Sequence, residues 1–406
     1  MMPLLDLHIH PSLKMYYLPY LRRSFHALVY TGTFWNPLSF QTQYLNLARS
    51  PEKVMIVSHY VIEQGFVRQG LSPLSRAISW AFAPRFYNKL RNADPWRTLI
   101  EQMDLLEEAV ANTNRWLPRR AKRLKMVYRF ADIAELEKNE IGLIHSVEGS
   151  HCFGYGLEPG QTLDEFWNQT EEKLAYLKSR GVCLITPAHF WENMFFPQLE
   201  GTEWVLKDVD GVPTRTRAST LAKMQAAEWQ WGDPGKLSER FSRKLLEMGI
   251  LLDLSHTQEH ARWKVYDLCA EYKRPPVLSH VGARRFFDHE YNVSDEEIRR
   301  VHELGGIIGL ILTRRWLVAP EHRDNDDGKG IDDLVDTMLY IRELTGDVAC
   351  IGLGTDFDGL TYPFKDCPTP AQIGRISDRM RMYFSEAEIE AIFFGNARRA
   401  LEQGWS

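Results

Sequence analysis

The sequence predicts an α/β fold, a (β/α)8 TIM-type barrel with long insertions after strands 1, 2 and 4. Three observations carry this. Eight short apolar runs recur, at residues 4–9, 54–59, 141–147, 182–188, 250–254, 276–278, 306–312 and 349–354. Helical patterns fall between several of them, at 163–178, 236–248, 258–272, 295–304 and 332–344. Within 249–292, two apolar runs each end in Ser-His with a helix-length segment between them, which is a βαβ unit whose two strand ends lie on one side of a sheet. A doubly wound open sheet would also alternate, but it carries a Gly-rich phosphate loop after its first strand, where this chain has DLHIHPS.

Taken in order, the strand at 4–9 is followed by a long connection, 11–53, and the strand at 54–59 by a longer one, 61–139. In the latter, Arg115, Arg119, Arg120, Lys122, Arg123, Lys125 and Arg129 interleave with Trp116, Leu117, Leu124, Met126 and Val127, which reads as an amphipathic helix with a solvated basic face. The fourth strand precedes the third insertion, 190–235, whose Trp191, Phe195, Phe196, Trp204, Trp229 and Trp231 are read as packing against the body. The run at 250–254 is apolar apart from Asp253, as suits a strand buried on both faces. Ser294-Asp295-Glu296-Glu297 supplies a cap and an acidic first turn to the helix at 295–304, and Gly305 and Gly346 follow helix ends. Residues 1–406 are expected to form one domain, with 368–406 as a helical appendage.

The composition is that of an ordered globular chain, 44% hydrophobic and 25% charged over 406 residues. A net charge of −5 gives no reason to expect nucleic acid or an anionic membrane as partner. No apolar run approaches membrane-spanning length, and the N-terminus lacks the pattern of a signal segment. Five cysteines without a Cys-x-x-Cys pair fit reduced thiols and a cytoplasmic location. Cys152 lies beside His151, but a nucleophilic thiol would leave the other polar residues without a task.

Those residues stand at the carboxyl ends of the strands: His8 and His10, then His59, Glu148, His189, His256, His280 and Asp356. Only the seventh strand, ending near Thr313, lacks one. Barrel active sites lie at that face, and imidazoles with carboxylates are ligands for divalent metals. A binuclear metal centre is therefore expected. Strand alternation points His8 and His10 to one side, toward one ion; Glu148 can bridge two; His256 and His280 complete the second. Asp356 binds the first and takes the proton of the attacking water. Asp358 is read as a supporting residue, and His59 and His151 as structural.

At this point the chain resembles the zinc-dependent dipeptidases of the membrane (renal) dipeptidase type, peptidase family M19 of the amidohydrolase superfamily. The resemblance rests on HSVEGSH at 145–151, GILLDLSH at 249–256, VLSHVGARRFFDHEYN at 277–292, GLGTDFDG at 352–359 and FFGNARRAL at 393–401. It implies two zinc ions held by His8, His10, Glu148, His256, His280 and Asp356, with Glu148 shared, a metal-bridging water, and His189 at the scissile carbonyl or its oxyanion. It also implies that Arg284 and the position of Tyr291 contact the substrate, a dipeptide or similar small amide. Two departures stand out: His8-x-His10 where the dipeptidases usually have His-x-Asp, and Tyr291 where they usually have Arg. Residues 11–140 match no motif of the family. The same fold and metals leave open N-acyl amino acids or lactones as substrates, or a catalytically silent barrel used for binding, and they allow a homo-oligomer.

Overall fold

The computed structural model describes residues 2–17, 24–32, 39–63, 87–88, 94–191, 193–197, 199, 237–319, 330–359 and 361–406. All eight expected strands form: β1 (Leu4–Ile9), β2 (Glu52–Tyr60), β4 (Glu140–Glu148), β5 (Leu184–Thr186), β6 (Leu251–Leu252), β7 (Val277–Val281), β8 (Ile307–Ile311) and β9 (Ile351–Gly354). They run parallel in the order β6-β5-β4-β2-β1-β9-β8-β7. The ring closes between its two ends through a bridge from Asp253 to Val277, where Leu254 N donates to Val277 O at 2.8 Å. This is the (β/α)8 barrel, and its strands are buried on both faces, which is why they read as unbroken apolar runs.

The basic run at 115–129 is not the helix expected from its composition. The helix Pro95–Arg115 ends at its first residue, Pro118 lies just beyond the cap at Trp116, and Arg123–Met126 forms a further strand, β3, paired with β4. Proline removes the donor a helix would need there, and the alternation Arg-Leu-Lys-Met has period two, with Leu124 alone fully buried. Asn114 locks the arrangement, accepting from Leu124 N at 3.1 Å and donating to Leu124 O at 2.6 Å. The other expected helices are present as Leu163–Ser179, Ser238–Met248, Glu259–Tyr272, Asp295–Glu303 and Gly330–Thr345. Thr162 and Ser294 cap the first and fourth by accepting from the N–H three residues on.

The segment expected as a helical appendage forms the helices Gly374–Met380, Glu386–Glu390 and Asn396–Gly404. It is tied to the amino-terminal ends of two strands. Asn396 donates to Val348 O and Ile351 O, and Arg399 donates to Gly305 O and Ala349 O, all at 2.7–2.9 Å. Inside the barrel, β7, β8 and β9 approach closely because Gly309 and Gly354 carry no side chain; a Cβ on either would collide with Ser279 O. Trp191, Phe195 and Phe196 of the third insertion are described, the two phenylalanines fully buried, whereas Trp204, Trp229 and Trp231 lie outside the described residues. Among the described residues no helix is long and apolar enough to cross a membrane.

Candidate metal centre

Seven of the residues expected at the site meet at the carboxyl ends of the strands. His8 and His10 leave β1 on one side, their Nε2 atoms 2.8 Å apart, and His256 and His280 follow β6 and end β7 with Nε2 atoms 3.0 Å apart. Glu148, at the end of β4, stands between the pairs. Its Oε1 is 3.4 Å from His8 Nε2 and 3.6 Å from both His256 and His280 Nε2, and its Oε2 is 3.5 Å from His10 Nε2. Asp356 Oδ1 approaches His10 Nε2 at 3.2 Å, and His189 Nε2 lies 3.7 Å from Glu148 Oε1. His256 and Asp356 hold left-handed backbone, φ 62° and 56°, an unusual conformation for a histidine and a local strain of the kind that collects at functional sites.

The sequence explains how the rings are aimed. Asp253, the one polar residue in its apolar run, accepts from Ser255 N, Ser255 Oγ and Ser279 N through Oδ1, and from Thr186 Oγ1 and Ser279 Oγ through Oδ2. Ser279 Oγ in turn meets His8 Nδ1 at 3.1 Å and His280 Nδ1 at 2.7 Å. With Nδ1 engaged from behind, each ring presents Nε2 to the centre, the orientation that a metal-ligating histidine requires. Asp253 falls within reach of a metal group with His8 and His280, but its oxygens are already taken by five donors, which makes it a support for the ligands. The serine of each Ser-His repeat and the lone Asp253 were the signals for this network.

Asp6 plays a similar part for the other half. It accepts from His8 N and Thr355 N through Oδ1 and from Thr355 Oγ1 through Oδ2, fastening β1 to the turn that carries Asp356. Burial pushes its carboxyl up to about 7, against the pull of the Thr355 bonds. Burial first, and neighbouring histidines second, hold His8, His189, His256 and His280 well below the ordinary histidine value, so their lone pairs are free for a cation. Burial and the charge of Asp356 push Glu148 up. The residues fit a divalent metal. His8–His10–Glu148 and Glu148–His189–His256 each bring donor atoms within 4.8 Å of one another, all buried, and His10 Nδ1 is buried without a hydrogen-bond partner among the described residues. A divalent cation would satisfy the converging Nε2 lone pairs and the carboxylate oxygens together.

The remaining expected residues divide. Tyr291 is buried against the cluster, its ring 5.1 Å from that of His256 and stacked at 4.0 Å on Trp316, while its hydroxyl donates to His280 O at 2.6 Å. Arg284 donates to Asn292 O at 3.2 Å and pairs with Glu259 at 2.8 Å. Asp358 accepts from Lys14, Gln41 N and the Thr42 N–H and hydroxyl, tying the first insertion to the last strand turn. His59 bonds Ser12 and His145, and His151 bonds Val61 O. Cys152 is buried, which raises its thiol out of the nucleophilic range. One residue had no signal in the sequence: Glu63, just past β2, whose Oε1 meets His189 Nδ1 at 2.8 Å and accepts from Phe190 N at 3.1 Å.

A parallel barrel with imidazoles and carboxylates gathered at the strand ends is a metal-dependent hydrolase in its class. Residues 235–404 match the sequence model of the membrane dipeptidase family, peptidase family M19. Over that stretch the chain is similar to the membrane dipeptidases. It is 22% identical over 316 residues to an uncharacterized protein in the pqqA 5′ region of Klebsiella pneumoniae, an alignment covering 77% of this chain and 98% of that protein. With the dipeptidase ataJ of Aspergillus terreus it shares 31% identity over 156 residues, 38% of this chain and only 36% of the relative. The crystal structure of a metallopeptidase from Rhodobacter sphaeroides liganded with a phosphinate mimic of the dipeptide L-Ala-D-Ala has the same fold, with a TM-score of 0.65 at 16% identity, covering 100% of this chain and 99% of that one.

Proposed function

We propose that the protein is a binuclear zinc hydrolase that cleaves a dipeptide or a similar small amide. The observation that carries this is Glu148, buried between two histidine pairs and within 3.4–3.6 Å of an Nε2 atom in all four rings. His8, His10 and Asp356 would hold one ion, His256 and His280 the other, with Glu148 shared. Bound there, the ions supply water activation and polarisation of the scissile carbonyl. Asp356 accepts the proton of the attacking water and passes it to the departing amine. His189, whose Nε2 is directed at the same centre, contacts the scissile carbonyl. Burial of all these groups excludes bulk water and strengthens each interaction.

Tyr291 lines the site beside His256 and also steadies His280 through its carbonyl, and Arg284 pairs with Glu259, close in sequence to His256. The substrate is a small molecule, and the five cysteines, all buried and free, fit a cytoplasmic protein. The test is elemental analysis of purified protein together with a hydrolysis screen of dipeptides, N-acyl amino acids and lactones. About two zinc ions per chain and turnover of dipeptides are expected. A folded, metal-free protein without turnover would leave a binding barrel as the better reading.

A further inference from the structure

We propose that Glu63 is the positioning residue for His189, a carboxyl that turns the imidazole so that Nε2 faces the reacting carbonyl. The inference rests on the hydrolase reading above. Residues 61–63 follow β2 within the stretch that matches no family motif, so nothing in the resemblance assigns Glu63 a role.

The side chain of Glu63 is fully buried, and every visible partner belongs to the wall of the site. Oε1 lies 2.8 Å from His189 Nδ1 and accepts the N–H of Phe190, the next residue. The Tyr60 hydroxyl bonds Oε2, and the Tyr60 ring lies against that of His189, centroids 4.3 Å apart. His189 is thus gripped at one nitrogen and along one face. Its other nitrogen is left pointing at Glu148 Oε1, 3.7 Å away, in the centre where a substrate carbonyl must lie. A ring on a loop after β5 has two free torsions, and the loop alone does not set them. A hydrogen bond at Nδ1 selects the one orientation that aims Nε2 inward, as the partners behind metal-bound histidines do.

The competing account is that Glu63 merely pins the loop through Phe190 N. A double-mutant cycle separates the two. Glu63→Ala should lower kcat about 10–100-fold with KM changed far less, while zinc content stays at the wild-type level. Made in a His189→Ala background, the same change should cost almost nothing further, since the ring it positions is gone. Glu63→Gln, which keeps an oxygen acceptor and the side-chain volume, should recover much of the loss. A full additional loss in the His189→Ala background, or a Glu63→Ala enzyme with wild-type kcat, would overturn the proposal.

A second readout needs neither turnover nor metal. In metal-free protein, the ring ¹⁵N signals of His189, assigned by their absence in His189→Ala, should shift at Nδ1 in Glu63→Ala and, to a smaller extent, in Glu63→Gln. Unchanged signals would refute the contact even if Glu63→Ala folds poorly and its kinetics cannot be read. Should the wild type hydrolyse no substrate, the hydrolase reading fails while this measurement still decides whether Glu63 orients the ring.

Discussion

Asp356→Asn is expected to keep the fold and most of the metal and to lose about 10²–10⁴-fold in kcat, the usual cost of removing a general base. That range corresponds to about 2.7–5.5 kcal/mol of transition-state stabilisation. The structure explains why asparagine is the discriminating replacement. Asp356 sits at φ 56°, where Asn is among the few side chains that are tolerated, whereas alanine would add about 1–2 kcal/mol of backbone strain. The amide also retains an oxygen for the position that Oδ1 now takes, 3.2 Å from His10 Nε2. What it cannot do is accept a proton. The assay is kcat on a dipeptide, with zinc content and Tm measured on the same samples, and Asp356→Ala in parallel. Asparagine should separate the readouts, with metal and Tm near wild type and turnover low, and alanine should lower all three. Near-normal turnover of fully loaded Asp356→Asn would refute the proton role. A loss that tracks missing zinc would reduce Asp356 to a ligand.

Further outcomes follow from the same geometry. Gly359→Ala should mimic part of that loss, because its Cβ would collide with the Asp356 carboxylate; wild-type kcat in this variant would show that the turn yields without moving the base. His256→Ala and His280→Ala should each lower zinc occupancy, and elemental analysis showing full occupancy in both would overturn the ligand assignment. Glu52 is buried with neither oxygen hydrogen-bonded among the described residues, and burial, then Asp6, raise it well above 4.5. The folded chain therefore holds a proton that the unfolded chain releases, and stability falls by about 1.4 kcal/mol per pH unit above that value until the folded group ionises. Glu52→Gln should accordingly gain stability in urea unfolding at pH 8 and gain none at pH 4, whereas a pH-independent gain would contradict this. Finally, kcat/KM for a dipeptide and its C-terminal amide should differ little, since Tyr291 and Arg284 both have protein partners; a strong preference for the free acid would show a carboxylate anchor elsewhere.

The barrel was legible because each strand is buried on both faces and so appears as an apolar run, and because the clustered histidines and carboxylates stand where those runs stop. Two features escaped for physical reasons. The stretch 115–129 carries enough charge to look like a solvated helix, and only the proline at 118 and the period of two at 123–126 betray a strand on the flank of β4. Glu63 escaped more completely. It lies past the end of β2, three residues beyond the tyrosine whose hydroxyl it binds, in a segment with no periodicity. Its partner His189 is 126 positions away. Asp253 is the intermediate case, a lone acid in a buried strand, where the cost of burying an unpaired carboxylate already demanded donors. The serines preceding His256 and His280 provide them.

His10 lies beside His8 without displacing either carboxylate, since Asp356 and Glu148 both remain within 3.5 Å of its Nε2. In the proposed centre, an imidazole ligand where the resemblance expects an aspartate would make a cluster with the same ions more positive by one unit charge. Tyr291 stands where that resemblance expects a guanidinium, and its hydroxyl is spent on His280 O. One substitution adds positive charge at the centre and the other withdraws it from the wall. A charge on a flexible guanidinium can seek out a carboxylate and bind it through two parallel bonds, whereas a charge among fixed imidazoles draws any electron-rich oxygen to one point. Recognition by the wall is thereby weakened relative to recognition by the centre. If the proposed hydrolase activity holds, the centre meets the scissile carbonyl of every amide, so selectivity is expected to depend less on the end group of the substrate and more on the side chains beside the centre, Tyr291 among them.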